Sequence, residues 1–415
     1  MRIAEVETGN VMAVLEPDWR RLQAQCQRLT PFQTWEWNAA WWRHFGALKT
    51  PHILLFWAEA PDGNGEILVG IAPCYTSFHL GTPLRRLAWI GTGQSDYMGP
   101  LACTGWEERV AGALRFYIDT TLRGWHMADL QQMRPDEPLL VDAIRMESEA
   151  AVPAQTVLPI EPCPYLLLPA EWKLFTDRLG KKMRSNLGYY DRLLCRTFKT
   201  VAYQIADTTT LDAGLTALFT LHQKRWNARW LPGVLGNQRV QAFHRDVAQA
   251  FLANGWLRLH LLSVDGVIQA VLYCFALGGH TYYYLGGFAL EMSRYSLGTL
   301  LTGRAIRQAI EEHCTEFDFL RGDESYKYRW LPTERINHRM LLLRTYGKQD
   351  SRRDEKSRED FSRKSDRKLN RKLSGLRELP GQAGLALHRV ERYVAARAKA
   401  FAEHRSAKHQ EEKQP

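Results

Sequence analysis

Apolar residues recur along this chain with two spacings, which predict strands and helices in alternation. In the first half, short apolar runs on both sides of Asp62-Gly63 predict a hairpin, because that dipeptide suits a tight turn. A run with helical spacing follows, and then another apolar run of strand length. The predicted elements of this half are strands at 53–59, 67–75 and 84–90, a helix at 107–122 and a strand at 126–132.

Three features of the first half recur in the second half, in the same order and at offsets of about 190 to 200 residues. They are Trp-Asn-Ala in a helix, a hairpin with an Asp-Gly turn, and a helix that runs into an apolar strand. The paired positions are 37–39 with 226–228, 62–63 with 265–266, and 127–130 with 317–320. This recurrence predicts an α/β protein made of two copies of one unit, each a mixed central sheet flanked by helices.

Changes of composition divide the chain into four segments. Residues 151–169 contain five prolines and predict an extended linker between two domains, 1–150 and 170–345. Residues 346–415 carry 19 Lys and Arg against 11 Asp and Glu, with few large apolar residues. This composition predicts a basic C-terminal tail that is a solvated helix or disordered. The tail holds +8 of the net charge of +10, so the body is close to neutral.

Length and composition indicate a globular protein. The chain has 415 residues, of which 45% are hydrophobic and 24% charged, enough for two domains with separate cores. The seven cysteines are scattered and never spaced as C-x-x-C, so we expect neither a disulfide framework nor a metal site. The first residues lack the apolar run of a signal peptide, and charges interrupt the most apolar stretch, 257–277. We therefore expect a cytoplasmic protein.

The stretch 280–330 holds the candidate chemistry. An aromatic strand leads to a helix whose start contains Ser296, a candidate N-cap, and Gly298. The first turn of a helix leaves backbone N–H groups unpaired at the positive end of its dipole, and a glycine there allows close approach of a ligand. The pattern therefore predicts a phosphate site. A second strand, 317–320, then leads into a polar cluster, 321–327, which would place titratable groups beside that site.

The cluster reads Phe-Asp-Phe-Leu-Arg-Gly-Asp-Glu-Ser-Tyr-Lys over residues 317–327. Together with the strand and helix before it, this stretch resembles the acyl-CoA-binding core of the GNAT acetyltransferases. The ending resembles their CelD/BcsL or BioF2-like group, which is related to the FemAB aminoacyl transferases. The resemblance covers about residues 30 to 345 and implies tandem GNAT-like domains. One departure is clear: Leu297 and Thr299 replace the small residues of the usual Arg/Gln-x-x-Gly-x-Gly/Ala loop.

The resemblance implies acetyl-CoA, or another acyl-CoA, as the cofactor of the second domain. It places the cofactor beside the end of the aromatic strand and the start of the following helix. The implied cofactor-binding residues are Leu285, Arg294, Ser296, Leu297, Gly298 and Thr299. Backbone N–H groups of a strand would polarise the thioester carbonyl, and positioning would supply much of the acceleration.

An attacking amine or hydroxyl must lose a proton to a base. Glu324 is the first candidate, with Asp323 beside it, because it follows a strand end where loops shape the cleft. Asp96, in a glycine-rich loop of the first domain, is the second candidate. The alternative for the Glu324 loop is a solvated surface with ion pairs of little energetic value. The candidate substrate-binding residues are Ser95, Tyr97, Arg184, Trp226 and Lys327, for which turn caps, solvated helix faces and core positions are the alternatives.

These features predict an acyl-CoA-dependent N- or O-acetyltransferase. Its acceptor would be a sugar, a nucleotide-sugar or an exopolysaccharide precursor of the cellulose type, bound between the domains. One alternative is FemAB-like aminoacyl transfer from charged tRNA, although a body charge near +2 makes nucleic acid an unexpected partner. Another is a non-catalytic scaffold of exopolysaccharide assembly. The basic tail is the candidate contact with exopolysaccharide-synthesis proteins or a membrane surface.

Overall fold

Strands from both halves of the chain join one mixed β-sheet. The computed structural model describes residues 1–7, 10–79, 82, 84–147, 155–227 and 233–344, so the predicted tail lies outside the described residues. The first-half strands are β1 (Arg2–Val6), β2 (Thr50–Glu59), β3 (Glu66–Phe78), β4 (Arg85–Trp89), β5 (Leu101–Ala102), β6 (Met127–Met133) and β7 (Gln155–Leu167). The second-half strands are β8 (Val201–Ile205), β9 (Leu257–Val264), β10 (Val267–Leu277), β11 (His280–Phe288), β12 (Glu316–Asp318) and β13 (Thr333–Leu343).

The order of strands across the sheet is nearly symmetric about its centre. It runs β1-β2-β3-β4-β6-β13-β7-β12-β11-β10-β9-β8, and β5 pairs with β3 at the side. Each half contributes one parallel pair, β4 with β6 and β11 with β12, and the remaining pairs are antiparallel. The strands therefore follow the same order and the same pattern of pairing from either edge of the sheet inward, which defines two similar units. The fold is mixed α/β and contains two similar units in tandem, as the sequence predicts.

The two halves exchange their last strands at the centre of the sheet. Strand β7 pairs with β12 and β13 of the second half, and β13 pairs with β6 of the first half. Within the proline-rich stretch 151–169 predicted to be a linker, the described residues 155–167 are extended, and they form a strand with partners on both sides. Its prolines lack N–H groups, yet their carbonyls still accept: Phe319 N–H donates to Pro164 and Gly322 N–H to Pro162. Prolines argue against a central strand, which explains the different expectation.

Helices cover the sheet and define two main buried clusters. Helices α3 and α4 pack on first-half strands in one cluster, and α1, α2, α7, α8 and α9 contribute to the other. None of the helices in the described part of the chain is long and apolar enough to cross a membrane. The helices are α1 (Val11–Gln23), α2 (Trp35–Phe45), α3 (Glu107–Thr120), α4 (Pro138–Glu147), α5 (Trp172–Arg178), α6 (Lys181–Thr197), α7 (Leu211–Asn227), α8 (Gln238–Ala253), α9 (Leu297–Glu311) and α10 (Ser325–Tyr328), with 3-10 turns at Pro31–Gln33, Val234–Gly236 and Leu290–Tyr295.

The symmetry of the sheet tests the three recurring features. The hairpins β2–β3 and β9–β10 are equivalent, and so are α3–β6 and α9–β12, so two of the pairings are confirmed. The Trp-Asn-Ala pairing is wrong, because Trp37 lies in α2 whereas Trp226 lies at the end of α7, the counterpart of α1. The true counterpart of α2 is α8, and the two pack together. Trp37 meets Phe243 of α8 edge-on, with ring centroids 5.0 Å apart.

Candidate functional site

Strands β11 and β12 run parallel and separate part-way along their length. Pairing covers residues 280–282 of β11 and 316–318 of β12, and it stops there. Strand β11 continues to Phe288, whereas β12 ends at Asp318 and the chain turns at Leu320, which has a φ of +56°. The two strands therefore open into a gap beyond Tyr282. A gap of this kind at a sheet's strand ends is a common place for a ligand in α/β folds.

A β-bulge in β11 lies beside the gap. Tyr273 of β10 pairs with Leu285 and Cys274 pairs with Tyr283, which leaves Tyr284 without a partner in that ladder. Bulges of this kind re-aim the local backbone and are frequent near active sites. The hydroxyl of Tyr284 donates to the carbonyl oxygen of Gln94 at 2.6 Å, which ties the bulge to the first half.

The start of helix α9 follows the end of β11. Its first turn contains no acidic residue. The N–H groups of a first helical turn have no intrahelical partner, and the dipole makes this end positive, so the turn suits an anionic group. Leu297 is buried here, whereas Gly298 and Thr299 are half-buried. Arg294 lies just before the helix and is exposed, with its guanidinium 4.6 Å from the ring centroid of Tyr295.

Two details of this turn differ from the expectations. Ser296 stands at the N-cap position, but its backbone is left-handed, with φ 49° and ψ 45°, and its side chain makes no capping hydrogen bond. A Cβ atom on Gly298 would lie 3.2 Å from Cε1 of Phe288. The glycine therefore makes room for the ring of Phe288, and a valine in its place would have to displace that ring.

A buried ion pair joins the two halves beside the gap. Asp96 is 2% exposed, and Nε of Arg321 lies 2.9 Å from its Oδ1. Burial raises the pKa of Asp96, and the nearby charge of Arg321 opposes that rise. Both groups also interact electrostatically with the hydroxyl of Tyr284. A carboxyl group with a raised pKa beside the bulge is a reasonable proton acceptor.

A second buried contact between the halves involves the neighbouring residue. The hydroxyl of Tyr97 donates to Oδ2 of Asp318 at 2.7 Å. Burial raises the pKa of Asp318 to about 6, although Arg335 and the bond from Tyr97 oppose the rise. Burial beside Asp318 also raises the pKa of Tyr97 well above its ordinary value. The guanidinium of Arg335 stacks 3.9 Å from the ring centroid of Tyr165, which completes this cluster.

Lys327 organises the loop that follows β12. It is 2% exposed, and its Nζ lies 3.0 Å from Oε2 of Glu324. The ammonium also donates to the carbonyl oxygens of Leu320, Arg321 and Gly322. These bonds engage the whole ammonium and hold the loop in shape, so the contacts of Lys327 are structural ones. The Glu324 side chain is 55% exposed, and Asp323 is exposed as well.

The other candidate substrate-binding residues lie apart from one another. Ser95 is fully buried, and its hydroxyl accepts a bond of 2.7 Å from Nε1 of Trp37, so it is a core residue, whereas Tyr97 contacts the second half through Asp318. Arg184 is exposed on α6, where it donates to the carbonyl oxygen of Leu179 and pairs with Asp177. Trp226 belongs to α7, but its side chain lies outside the described atoms.

The structure brings Asp96 of the first half to the loop after β12, and it adds partners that the sequence had not assigned to a site. The most informative of these is Arg321, which was part of the polar cluster but carried no role. Asp318 and Arg335 were also unassigned. Asp96, the partner of Arg321, and Tyr97, the partner of Asp318, lie more than 200 residues away along the chain, so no local spacing could have indicated these two pairs.

Comparison with known proteins agrees with this geometry. Residues 181–328 match the family described as acetyltransferase (GNAT) domain. No curated protein matches the chain by sequence. Among solved structures, FemX has a TM-score of 0.57 at 11% identity and covers 83% of this chain and 98% of its own. A protein of unknown function from Bacteroides thetaiotaomicron has a TM-score of 0.51 at 12% identity, over 83% of this chain and 100% of its own.

The family match lies in the second half of the chain. The segment from α6 to α10 matches the GNAT acetyltransferase domain, and it contains the bulge, the gap and the start of α9. At these identities the two solved structures show the shared fold alone. The matched family does not specify the CelD/BcsL group to which the ending of the domain is similar.

Proposed function

We propose that this protein is an acyl-CoA-dependent acyltransferase that acylates an amine or hydroxyl of a small acceptor bound between its halves. The observation that carries the proposal is the arrangement at the gap: strands β11 and β12 separate, β11 bulges at Tyr284, and α9 starts beyond β11 with no acidic residue in its first turn. The three features together suit a thioester beside a pyrophosphate.

The residues at the start of α9 fit the anionic part of such a donor. The N–H groups of Leu297, Gly298 and Thr299 belong to the first turn and would hold the pyrophosphate. Arg294 adds an exposed positive charge just before the helix. When bound, acyl-CoA supplies the activated acyl group. Backbone groups near the Tyr284 bulge would polarise its carbonyl, because an unpaired segment is available to bond a ligand.

Proton transfer is assigned to Asp96 in preference to Glu324. The acceptor's nitrogen or oxygen attacks the acyl carbon, the carbon–sulfur bond breaks, and the proton lost by the acceptor ends on the departing thiolate. Asp96 is buried, its pKa is raised, and it adjoins the bulge through Tyr284, so it can relay that proton. Glu324 is largely exposed and paired with Lys327, which also holds the loop, so it is the second choice.

The acceptor class follows from the resemblance of the sequence. Similarity to the CelD/BcsL group supports an acetyl donor and a sugar, nucleotide-sugar or exopolysaccharide precursor as acceptor. Candidate further partners are exopolysaccharide-synthesis proteins or a membrane surface, through the basic tail. The first-half loop with Asp96 would then line the acceptor side, opposite α9.

A second candidate function, aminoacyl transfer from charged tRNA, is favoured by one surface feature. Helix α6 packs against α9 and exposes Lys181, Lys182, Arg192 and Arg196 on its outer side. A row of cations suits a phosphate backbone. The fold shared with FemX is compatible with this reading but does not select it.

Calorimetry separates these functions. We expect acetyl-CoA to bind the full-length protein with one site and micromolar or tighter affinity, and bulk tRNA to bind weakly and lose affinity steeply with salt. Tight, salt-resistant binding of aminoacyl-tRNA without binding of acetyl-CoA would favour the second candidate. Binding of neither donor would support a non-catalytic scaffold. Mass spectrometry of acceptor panels incubated with labelled acetyl-CoA would then identify the acylated product.

A further inference from the structure

The first half contains a pocket of its own beside Tyr97. Its cavity volume is about 40 Å³, and the empty space reaches about 550 Å³ when the adjoining open solvent is included. Its wall combines apolar side chains, among them Met98 and Leu101, with charged ones. The charged groups are Arg28, Arg134, Glu107 and Glu137. A concave, partly apolar site with a few convergent polar groups is the usual form of a small-molecule site.

The position of the pocket mirrors the donor site of the second half. The loop after β6 reads Arg-Pro-Asp-Glu over residues 134–137, and the loop after β12 reads Arg-Gly-Asp-Glu over residues 321–324. Each loop follows the second strand of its parallel pair, so the symmetry of the sheet makes the two places equivalent. The pocket therefore lies at the place in the first half that is equivalent to the proposed donor site of the second half.

The chemistry of this pocket differs from that of its counterpart. Helix α3 starts with Glu107 and Glu108, and Oε2 of Glu107 accepts a bond of 2.7 Å from the N–H of Gly105. Negative charge at the helix start opposes a bound phosphate. The pocket is therefore poorly suited to a second pyrophosphate.

Two guanidinium groups in the pocket share one carboxylate. Arg28 donates to Oδ2 of Asp136, and Nε of Arg134 donates to its Oδ1 at 3.1 Å. Asp136 is bonded by both groups, whereas no described hydrogen bond joins Glu107 or Glu137, which line the same pocket, to either guanidinium. The remaining donors of the two guanidinium groups suit a further carboxylate.

Glu137 is the fourth charged group, and it lies deeper in the pocket. Its Oε2 would be 2.8 Å from a Cβ atom on Gly99, so the carboxyl group lies against the loop that leads to Tyr97. Burial raises its pKa to about 7, and Arg28 opposes the rise. The other groups that face it are the carboxylate of Asp136, the N–H of Leu139 and the guanidinium of Arg134.

From this distribution of charge we infer that the pocket binds a small zwitterion of the amino-acid class. Its carboxylate would lie between Arg28 and Arg134, and its ammonium would face Glu137 and Glu107. The apolar wall at Met98 and Leu101 would receive an aliphatic side chain. The inference uses contacts of the first half only, so it does not depend on the proposed acyl transfer.

Three matched probes test this inference on the full-length protein. L-leucine carries both charges, N-acetyl-L-leucine lacks the ammonium, and L-leucinamide lacks the carboxylate. Ligand-observed NMR titration should show L-leucine binding, with each blocked probe weaker by about tenfold or more, because each loses one charged contact. Equal binding of all three probes, or binding of none, would overturn the inference.

Two variants test whether L-leucine binds in this pocket, and the unfolding midpoint shows whether a loss of binding is caused by loss of stability. Arg28→Gln, whose side chain is 43% exposed, should weaken L-leucine binding by about tenfold without changing the unfolding midpoint. The matched control is Arg2→Gln, another exposed arginine with a carboxylate partner, which should leave binding unchanged. Equal loss in the two variants, or no loss in either, would contradict the assignment.

The pH dependence of binding gives an independent readout. The ligand's ammonium favours the ionised form of Glu137, so affinity for L-leucine should rise as the pH increases from 6 to 8, through the pKa of about 7. The Glu137→Gln variant should bind more weakly at pH 8 and lose the rise. Retention of the full pH dependence by this variant would show that Glu137 does not face the ligand.

Discussion

Helices α3 and α9 occupy equivalent places in the two halves, yet their starts are chemically opposed. The first turn of α3 carries Glu107 and Glu108, whereas that of α9 carries no acidic residue. Both starts present the positive end of a helix dipole, so the acidic side chains make the start of α3 less favourable for an anion than the start of α9. In the proposed function, the second half therefore holds the phosphorylated donor and the first half is left for different chemistry.

The two loops that follow β6 and β12 show the same divergence. Both contain Arg-x-Asp-Glu. In the second loop, Lys327 donates hydrogen bonds to three carbonyl oxygens and forms an ion pair with Glu324. In the first loop the arginine bonds to the aspartate, and the glutamate turns into a pocket. Similar sequences therefore serve a structural purpose in one half and line a cavity in the other.

The largest expected effect tests which half supplies the base. Replacing Asp96 with Asn should lower turnover by about 10² or more, because general-base assistance contributes a factor of about 10² to 10⁴. Affinity for acetyl-CoA should stay the same, since Asp96 lies away from α9. Steady-state kinetics, with acetyl-CoA binding measured separately, would check both points.

Glu324→Gln is the matched control for that experiment. We expect a change in turnover of no more than about threefold, because Glu324 is exposed and bonded to Lys327. If Glu324→Gln loses turnover while Asp96→Asn keeps it, the base belongs to the second half. If both variants keep turnover, the acceptor is deprotonated without help from either carboxylate.

A smaller effect is expected from giving α9 the charge of α3. Thr299→Glu places an acid in the third position of α9, where a carboxylate favours the helix but opposes phosphate. Affinity for acetyl-CoA should fall by about tenfold or more, and the unfolding midpoint should stay level or rise. Calorimetry and thermal unfolding of the same preparation measure both.

The reciprocal variant sharpens this comparison. Glu107→Gln removes one acid from α3 and should leave the stoichiometry of acetyl-CoA binding at one per chain, because Glu108 remains. A second acetyl-CoA bound per chain would show that the charge of Glu107 alone prevents binding at the start of α3. Unchanged acetyl-CoA affinity in Thr299→Glu would remove the donor assignment from α9.

The sequence predicts the local features of this fold well and its long-range ones less well. Both hairpins, α9 and the polar loop after β12 follow from spacing and turn chemistry, because their partners lie close along the chain. The exchange of β7 and β13 could not be predicted, since the prolines of β7 are typical of a linker. The pairs Asp96–Arg321 and Tyr97–Asp318 join residues more than 200 positions apart, which only the sheet's central exchange brings together.

The structure shows which of the recurring sequence features belong to equivalent elements of the two halves. The Asp-Gly pairs lie in equivalent hairpins but form different turns: residues 265–266 make a two-residue turn in which both φ values are positive, whereas Asp62 and Gly63 lie within the six-residue connection between β2 and β3. The Trp-Asn-Ala recurrence has no such physical cause, and its two copies lie in helices that are not counterparts. Recurring residues therefore indicate duplication only where the elements that carry them occupy equivalent places in the sheet.

Strands β6 and β12 each carry one buried aspartate, and the contrast between the two predicts a pH effect. Asp129 is bonded by Arg339, whereas Asp318 accepts from Tyr97 and has a pKa of about 6. A raised pKa in the folded state means stability that is present below the ordinary pKa and lost as the pH rises through about 6. Between pH 5 and 7 this loss should be about 1 kcal/mol.

Asp318→Asn removes the titrating group but keeps an oxygen that Tyr97 can bond. Urea unfolding of the variant should therefore show about 1 kcal/mol less loss of stability between pH 5 and 7 than the wild-type protein shows. The same pH dependence in both proteins would indicate that Asp318 is ionised throughout this range and that its charge is balanced by Arg335.

The smallest effects are expected from replacing one glycine in each of the two equivalent helices, α3 and α9. A Cβ atom on Gly112 of α3 would meet nothing within 4 Å, whereas one on Gly298 of α9 would lie 3.2 Å from Phe288. Gly112→Ala should stabilise the protein by up to about 1 kcal/mol through helix propensity and leave donor affinity unchanged. Gly298→Ala must shift the Phe288 ring by a few tenths of an ångström, so it should gain little stability and weaken acetyl-CoA binding by about threefold. Wild-type affinity in Gly298→Ala, with stability raised as in Gly112→Ala, would mean that the turn tolerates a side chain and that the donor lies farther from α9.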